Sequence, residues 1–326
     1  MHQLADQMDC YSGSGTCATD FASKQLIFSS DQGLAIVNIF KEIHFTSSDG
    51  LQLYARDYAA KNAVAKCPVI CIHGLTRNSS DFEEVAPWMA SMGRRVIAVD
   101  VRGRGRSEYD PDISHYKPMV YAADIIKLTQ ELGIKRAVFI GTSMGGMITM
   151  TLALRRLGLI SAAILNDIGP VLSMVGLSRI AAYTGKGKPL NSWSEATDYI
   201  MTVNQTAFPK NSMEEWEKWA HRAFAKNARG QLLLQYDPNI AIALQTGKLK
   251  AKSFFAKLAF RRLARKRPTL LIRGALSDLI ETEQAQEMRK IAPTMRYAEV
   301  PNVGHAPMLM ETEAMDAIRL FLAQVD

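Results

Sequence analysis

The sequence predicts an α/β fold in which a doubly wound, mostly parallel sheet carries helices on both faces and an inserted helical cap. Three observations lead to this prediction. Short, uniformly apolar runs recur along the chain, as in strands that are buried on both faces. Helix-like segments separate these runs, and this alternation is typical of parallel sheets. One long interval, from residue 169 to residue 267, contains helix-like segments but no such run.

The strand-like runs begin with an alternating pair, KEIHFT and LQLYARDY, on either side of a turn at Ser48-Asp49-Gly50, which predicts a hairpin. The buried runs that follow are PVICI from Pro68, VIAV from Val96, AVFI from Ala137, AAIL from Ala162 and TLLI from Thr269. Helices are expected between and after these runs, at residues 81–92, 121–132, 145–157, 281–291 and 313–325.

The chain is therefore expected to have three parts. Residues 1–38 form an N-terminal extension, and residues 39–168 and 268–326 form the α/β core. Residues 169–267 are expected to form the helical cap over the carboxyl ends of the strands, because their aromatic, amphipathic segments interrupt the alternation of strand and helix.

Composition places the protein among ordinary globular chains. Its 326 residues are 48% apolar, enough for one large core, and no apolar run is long enough to cross a bilayer. The N-terminus lacks the apolar run of a secretory signal, so a cytoplasmic location is expected. Cys10, Cys17, Cys67 and Cys71 lack the spacing of a metal or redox site, so we expect free thiols and neither metal nor cofactor.

The excess of positive over negative charge comes from one segment. Nine basic residues and no acidic residue lie between Lys248 and Arg267. The formal net charge of the whole chain is +7, and without these nine residues it would be 7 − 9 = −2. This segment lacks the aromatic interleaving of a nucleic-acid module, so no nucleic-acid partner is expected. We favour a solvated basic helix face over contact with an anionic membrane surface. The oligomeric state is not readable from these patterns.

A G-x-S-x-G motif carries the expected nucleophile. Gly141-Thr142-Ser143-Met144-Gly145 stands between a predicted strand and a predicted helix, where its glycines permit a sharp turn that presents Ser143. Ligands of open parallel sheets bind at the carboxyl ends of the strands, which is where this turn lies.

A base and an acid are needed to activate a serine. Of the six histidines, His305 is the expected base, because it lies in a Gly/Pro-containing loop, NVGHAP, after the last strand-like run. Two aspartates follow strands, Asp278 after TLLIR and Asp167 after AAILN. We expect Asp278 to be the acid, since the chain order Ser143, Asp278, His305 is the one that accompanies a G-x-S-x-G elbow. Asp167 is expected to stabilise the turn into the cap through backbone hydrogen bonds.

An oxyanion needs backbone N–H donors. One is expected from Met144, directly after the nucleophile, and the other from Leu75 in the loop HGLT that follows the strand PVICI. His73 of that loop is expected to be structural.

Taken together, HGLT, DVRGRGRS, GTSMGG, RGALSD and NVGHAP resemble the α/β-hydrolase superfamily over about residues 41–326. The resemblance implies a capped sheet, a catalytic triad and an oxyanion hole, and it implies that DVRGRGRS is a structural loop. A serine at the elbow is unlike the branches that attack with a carboxylate, and indicates the esterase-like branch.

The expected activity is carboxylesterase-like hydrolysis of small to medium apolar esters through an acyl-enzyme. Hydrolysis of a C–C bond in dienone ring-fission products uses the same residues and remains an alternative, as does a non-catalytic ligand receptor. Of the apolar side chains of the cap and of the catalytic loops, most at helical spacing are expected to pack in the core and a minority to form the acyl pocket. The set considered comprises Leu75, Met144, Met147, Leu172, Met174, Tyr183, Trp193, Phe208, Trp216, Trp219, Phe224 and Met308.

Overall fold

A computed structural model describes residues 24–29, 33–61, 66–245 and 253–325. The chain divides between Phe40 and Lys41 into two compact units. In the first unit, β1 (Lys24–Ser29) pairs with β2 (Gly33–Asn38) as an antiparallel hairpin. The remaining elements belong to the second unit, which carries the candidate active site.

The second unit contains a sheet of eight strands and, between two of those strands, a small hairpin. The sheet strands are β3 (Lys41–Thr46), β4 (Gln52–Tyr58), β5 (Val69–Ile72), β6 (Val96–Asp100), β7 (Ala137–Thr142), β8 (Ile160–Asn166), β11 (Thr269–Gly274) and β12 (Arg296–Val300), and the hairpin is β9 (Phe224–Lys226) with β10 (Leu232–Leu234). The sheet order is β12-β11-β8-β7-β5-β6-β4-β3. Its β3–β4 and β4–β6 pairs are antiparallel and its other pairs are parallel. The predicted doubly wound fold class is confirmed.

Helices connect the strands and cover the sheet. They are α1 (Val85–Ser91), α2 (Pro118–Glu131), α3 (Met144–Arg156), α4 (Met174–Tyr183), α5 (Trp193–Asn204), α6 (Met213–Ala223), α7 (Ile240–Gln245), α8 (Phe254–Lys266), α9 (Thr282–Ile291) and α10 (Thr312–Leu322). The central strands are buried along their whole length except at Thr142, the last residue of β7, as their apolar sequences predict. None of the described helices is both long and apolar enough to span a membrane.

The segment between β8 and β11 contains α4 to α8 and the β9–β10 hairpin. Helices α5 and α6 enclose an apolar cluster of their own that includes Ile200, Trp216 and Trp219. Helix α8 differs, because Phe260 and Leu263 are part of the main core and the Nε of Arg262 donates to the carbonyl of Ala153 in α3, at 2.8 Å. It acts as the crossover helix that a parallel β8–β11 pair requires. Helix α8 thus packs against the core helix α3, although it lies within the range 169–267 that the sequence assigns to the cap.

Cys67 and Cys71 carry free thiols. Cys10 and Cys17 lie outside the described residues, as do Lys248, Lys250 and Lys252 of the basic segment. The guanidinium of Arg102 in DVRGRGRS is fully buried and binds the carboxylates of Asp49, Asp110 and Asp124. These contacts agree with a structural role for the loop.

Candidate active site

Ser143 lies on a strained turn between β7 and α3. Its backbone has φ 51° and ψ −112°, in the left-handed region that residues with a side chain rarely adopt. The turn is tight enough that a methyl group at Gly145 would collide with the carbonyl of Ile72, and one at Gly141 with the backbone of Gly145. The glycines of the motif therefore allow the close backbone approach that presents the serine hydroxyl at the sheet edge.

His305 reaches this hydroxyl from the loop between β12 and α10. The Oγ of Ser143 donates to the Nε2 of His305 at 2.9 Å. The loop is held from two sides: the N–H of Gly304 donates to the carbonyl of Ala207 at 2.6 Å, and the Nδ2 of Asn166 donates to the carbonyl of Pro307 at 2.7 Å. The structure thus brings together the serine and the histidine that the sequence singles out.

Asp167, at the end of β8, is the acid in contact with His305. The Nδ1 of His305 donates to its Oδ2 at 2.7 Å, and the hydroxyl of Ser277 donates to the same oxygen at 2.5 Å. The N–H of Gly274 donates to Oδ1 at 3.0 Å. The carboxylate is fully buried, and these donors fix its orientation. Ser143, His305 and Asp167 therefore form one continuous hydrogen-bonded chain.

The expectation that Asp278 supports His305 is corrected by this geometry. Asp278 lies on the loop after β11, but its carboxylate forms two hydrogen bonds with Arg179 of α4, Nε to Oδ2 at 2.5 Å and Nη2 to Oδ1 at 2.8 Å. Burial raises the pKa of Asp278, but the hydrogen bonds and charge of Arg179 outweigh burial and hold the pKa below its ordinary value. Asp278 thus binds the inserted segment, while Asp167 takes the position that we expected for Asp278.

The sequence contains a partial signal for this exchange. β8 and β11 are parallel neighbours, so both aspartates follow adjacent strands at the same sheet edge. Asp167 follows its strand directly, whereas Asp278 is separated from Gly274 by three residues. No pattern in the sequence links Arg179 or Ser277 to these acids, because each contact joins segments that are distant along the chain.

The two expected oxyanion donors have free N–H groups. Among the described residues, the backbone N–H groups of Leu75 and Met144 have no protein acceptor. Leu75 lines the pocket above Ser143, and Met144 begins α3, where helix N–H groups are unsatisfied and favour negative charge.

His73 holds the loop that contains Leu75. Its ring is fully buried, and its Nδ1 donates to the carbonyl of Gly74 at 2.7 Å, while its Nε2 accepts from the N–H of Val101 at 3.0 Å. Burial lowers the pKa of His73 to about 4, although the charge of Asp100 and the hydrogen bond to Gly74 act in the opposite direction. The ring is neutral at neutral pH and ties the loop to the strand end beside it.

Arg104 connects both oxyanion segments. Its guanidinium is fully buried and has no carboxylate partner among the described residues. Its Nε donates to the carbonyl of Leu75 at 2.9 Å, and its Nη2 lies 3.4 Å from the Sδ of Met144. Nη1 donates to the hydroxyl of Tyr121 at 3.0 Å, whose ring centre is 5.0 Å from the guanidinium carbon. Sequence reasoning missed this residue, since the motif alone predicts only a structural loop.

A cleft of about 990 Å³, including its open mouth, lies above Ser143 and His305. Five side chains of the expected acyl pocket line it: Leu75, Tyr183, Phe208, Trp219 and Met308. Others of the expected set lie elsewhere; Met174, for example, is 61% exposed and Trp193 stacks on His221. The lining also includes Arg77 and Asp81, charged residues that sequence reasoning did not consider.

Comparison with known families and structures agrees with this architecture. A family model described as alpha/beta hydrolase fold matches residues 68–312, and one described as acetyl xylan esterase matches residues 17–118. A crystal structure of an alpha/beta hydrolase from Novosphingobium aromaticivorans superposes with a TM-score of 0.82 and 36% identity, over 88% of this chain and 99% of that chain.

Two curated relatives extend over most of the chain. A 3-hydroxybutyrate-oligomer hydrolase of Cupriavidus necator is 34% identical over 248 residues, which cover 74% of this chain and 84% of that protein. An sn-1-specific diacylglycerol lipase of Mus musculus is 28% identical over 259 residues, which cover 78% of this chain and 80% of that protein.

Proposed function

The chain belongs to the alpha/beta hydrolase fold family, and on that premise we propose that it is a serine hydrolase that cleaves carboxylic esters through an acyl-enzyme. The observation that carries the proposal is the hydrogen-bonded chain from Ser143 through His305 to Asp167. The two relatives support it, since one is named a hydrolase of 3-hydroxybutyrate oligomers and the other a diacylglycerol lipase.

In the first half-reaction, the Oγ of Ser143 attacks the ester carbonyl carbon while the Nε2 of His305 takes the hydroxyl proton. The carbonyl π bond becomes an oxyanion, to which the N–H groups of Leu75 and Met144 donate. The C–O bond to the alcohol then breaks, the leaving oxygen takes the proton from His305, and the acyl group stays on Ser143.

In the second half-reaction, His305 takes a proton from water, and the resulting hydroxide oxygen attacks the acyl carbon. The intermediate collapses to the free acid, and His305 returns the proton to Ser143. Asp167 is held beside His305 by the donors Ser277 and Gly274, and it stabilises the imidazolium that forms in each half. Asp278 has no part in these steps.

Replacement of the nucleophile tests the proposal. Ser143→Ala should lower kcat on para-nitrophenyl esters of short and medium acyl chains by a factor on the order of 10⁴. The matched control is Ser114→Ala, which removes an exposed hydroxyl away from the cleft and should leave kcat unchanged. A folded Ser143→Ala protein that keeps more than a few per cent of the activity would contradict the assignment.

A dienone ring-fission product included in the same assay separates ester cleavage from C–C bond cleavage. We expect turnover of the esters and not of the dienone. The opposite preference would assign the same residues to C–C bond hydrolysis, and the absence of turnover with both substrate types would contradict the proposed function.

A further inference from the structure

Arg77 brings a positive charge into the cleft above Ser143. It follows the loop that carries Leu75, and its N–H donates to the carbonyl of Gly74 at 3.3 Å. Its side chain is 21% exposed, so it is neither fully buried nor free in solvent. Among the described residues that line the cleft, Arg77 and His305 are the only basic ones. Both ring nitrogens of His305 are already hydrogen-bonded, to Asp167 and to Ser143.

Asp81 occupies one edge of this guanidinium. The Nε of Arg77 lies 3.1 Å and 2.9 Å from the two carboxylate oxygens of Asp81, and Nη2 donates to Oδ1 at 2.5 Å. The opposite edge, between Nη1 and Nη2, has no acceptor among the residues that the structure describes. Asp81 therefore orients the guanidinium and offsets part of the free-energy cost of removing it from water. The free edge keeps two N–H groups in the geometry that binds a carboxylate through two parallel hydrogen bonds.

Tyr183 of α4 offers a further donor in the same cleft. Its hydroxyl makes no hydrogen bond with any residue in the described ranges, although the residue lines the cleft. Burial raises the pKa of Tyr183, and the positive charges of Arg179 and Arg77 oppose that rise. The tyrosine thus remains a neutral hydrogen-bond donor within the electrostatic reach of Arg77.

We propose that Arg77 and Tyr183 form a subsite for a carboxylate of the substrate. The proposal rests on the proposed ester hydrolysis and defines its substrate class: esters in which the acyl chain ends in a free carboxylate. The apolar side chains of the cleft, Phe208 and Trp219 among them, contact the acyl chain of the substrate between its carboxylate and its ester carbonyl. Binding of the substrate carboxylate positions the ester carbonyl over Ser143, so the binding energy of the carboxylate is used to orient the ester group for attack.

A matched pair of esters tests this subsite. Mono-para-nitrophenyl glutarate and its methyl ester have the same leaving group and the same reacting carbonyl, and they differ in the charge of the far end. We expect the wild type to favour the free acid in kcat/KM, and Arg77→Met to reduce the ratio of the two kcat/KM values by about 10- to 100-fold. The effect should appear in kcat as well as in KM, because the subsite orients the ester carbonyl over Ser143.

Further variants separate this specific role from a general one. Tyr183→Phe should reduce the same ratio by a smaller factor, and Arg77→Lys should give an intermediate ratio, because an ammonium keeps the charge but not the planar pair of donors. Arg229→Met removes an exposed arginine outside the cleft and should leave the ratio as in the wild type. An unchanged ratio in both Arg77→Met and Tyr183→Phe would overturn the subsite.

Binding measurements separate failure of the subsite from failure of the proposed function. Calorimetry on Ser143→Ala compares monomethyl glutarate with dimethyl glutarate, and we expect the monoacid to bind at least about 10-fold more tightly, with the preference lost when Arg77→Met is added. If the wild type hydrolyses neither nitrophenyl ester but the monoacid preference is present, the subsite stands and ester hydrolysis fails. Turnover of both esters without any preference for the acid, in kinetics and in binding, overturns the subsite and leaves the proposed function intact.

Discussion

At the scale of single residues, the two aspartates at neighbouring strand ends differ in their partners, and the partners define their roles. Asp167 is fully buried and binds His305, Ser277 and the N–H of Gly274. Asp278 is half-buried and pairs with Arg179 of the inserted segment. An acid that supports a catalytic histidine must fix one tautomer of the ring, and Asp167 meets this need because it accepts from the Nδ1 of His305.

Asparagine substitutions distinguish the two acids. We expect Asp167→Asn to lower kcat by a factor on the order of 10³–10⁴, because the amide would favour the wrong tautomer of His305. Asp278→Asn should lower kcat by less than about tenfold, since it loosens a contact with Arg179 that is 26% exposed. Steady-state kinetics on one para-nitrophenyl ester measures both effects. The reverse ranking would return the supporting role to Asp278.

His73 predicts a pH dependence of stability. Its pKa is about 4 in the folded protein, against about 6.5 for histidine in an unfolded chain, because burial disfavours the charged ring. Between these values the unfolded state binds more protons than the folded state. The contribution of His73 is therefore fully present above pH 6.5 and is lost as the pH falls towards 4, by about 3 kcal/mol in total.

Urea unfolding at a series of pH values between 7 and 4.5 measures this dependence. Removal of the histidine in His73→Gln should flatten the pH dependence of the free energy of unfolding, whatever its effect on stability at neutral pH. His44→Gln removes an exposed histidine of β3 and should keep the wild-type slope. Equal slopes in all three proteins would show that His73 titrates normally when folded.

At the scale of elements, α8 uses part of its basic surface for packing. The Nε of Arg262 donates to the carbonyl of Ala153 and the Nε of Arg265 to that of Ile291, each at 2.8 Å. These carbonyls lie towards the ends of α3 and α9, where backbone acceptors lack helical partners and a positive charge is favourable. Arg261, in contrast, is exposed and makes no hydrogen bond within the described part of the chain. The basic residues of α8 therefore combine helix docking with a solvated face.

A pair of adjacent substitutions tests this division. Arg262→Gln should lower the free energy of unfolding by about 1–2 kcal/mol, because the carbonyl of Ala153 loses a charged donor. Arg261→Gln should change it by less than about 0.5 kcal/mol. Both variants should keep kcat within about threefold of the wild type, since neither residue lines the cleft and salt screens exposed charges over about 8–10 Å. Equal destabilisation by the two substitutions would contradict the docking role.

At the scale of the whole second unit, residues 41–326, several contacts hold the inserted segment against the loops around the sheet, and those of α4 and α6 are two of them. Helix α4 is attached where the N–H of Gly176 donates to the carbonyl of Asp278 at 3.1 Å. Helix α6 is attached through Arg222, whose side chain is 3% exposed and bonds to Glu83 at 2.8 Å and also to Glu84. These attachments place the aromatic side chains of the segment over Ser143 and define the cleft between them.

Loss of the second attachment should affect both stability and substrate binding. Arg222→Met should lower the free energy of unfolding by about 1–2 kcal/mol, because it removes a buried donor to two carboxylates that water can still reach, and it should raise KM more than it lowers kcat. The control is Lys218→Met, which breaks an exposed pair with Glu84 and should cost less than about 1 kcal/mol. Calorimetric unfolding measures the change in stability, and ester kinetics measures the change in KM. An unchanged KM in Arg222→Met would show that this contact does not determine the shape of the cleft.

Local patterns in the sequence were sufficient to predict the parallel sheet and the elbow that presents Ser143. A strand buried on both faces needs an uninterrupted apolar run, and the tight turn needs glycine where side chains would collide, so both leave signals within a few adjacent residues. The same holds for His305, whose loop between the last strand and the last helix is recognisable in NVGHAP.

The supporting acid was decided by the tertiary structure alone. Asp167 and Asp278 follow adjacent parallel strands, and each has the chemistry to bind an imidazole. The choice depends on Arg179, which is 99 residues before Asp278 in the chain and binds its carboxylate, and on Ser277 and Gly274, which donate to Asp167. The packing of α8 on the core and the free edge of the Arg77 guanidinium depend on tertiary contacts in the same way. Interactions between distant segments leave no local pattern, because one sequence position is compatible with several partners until the chain folds and brings one of them within hydrogen-bonding distance.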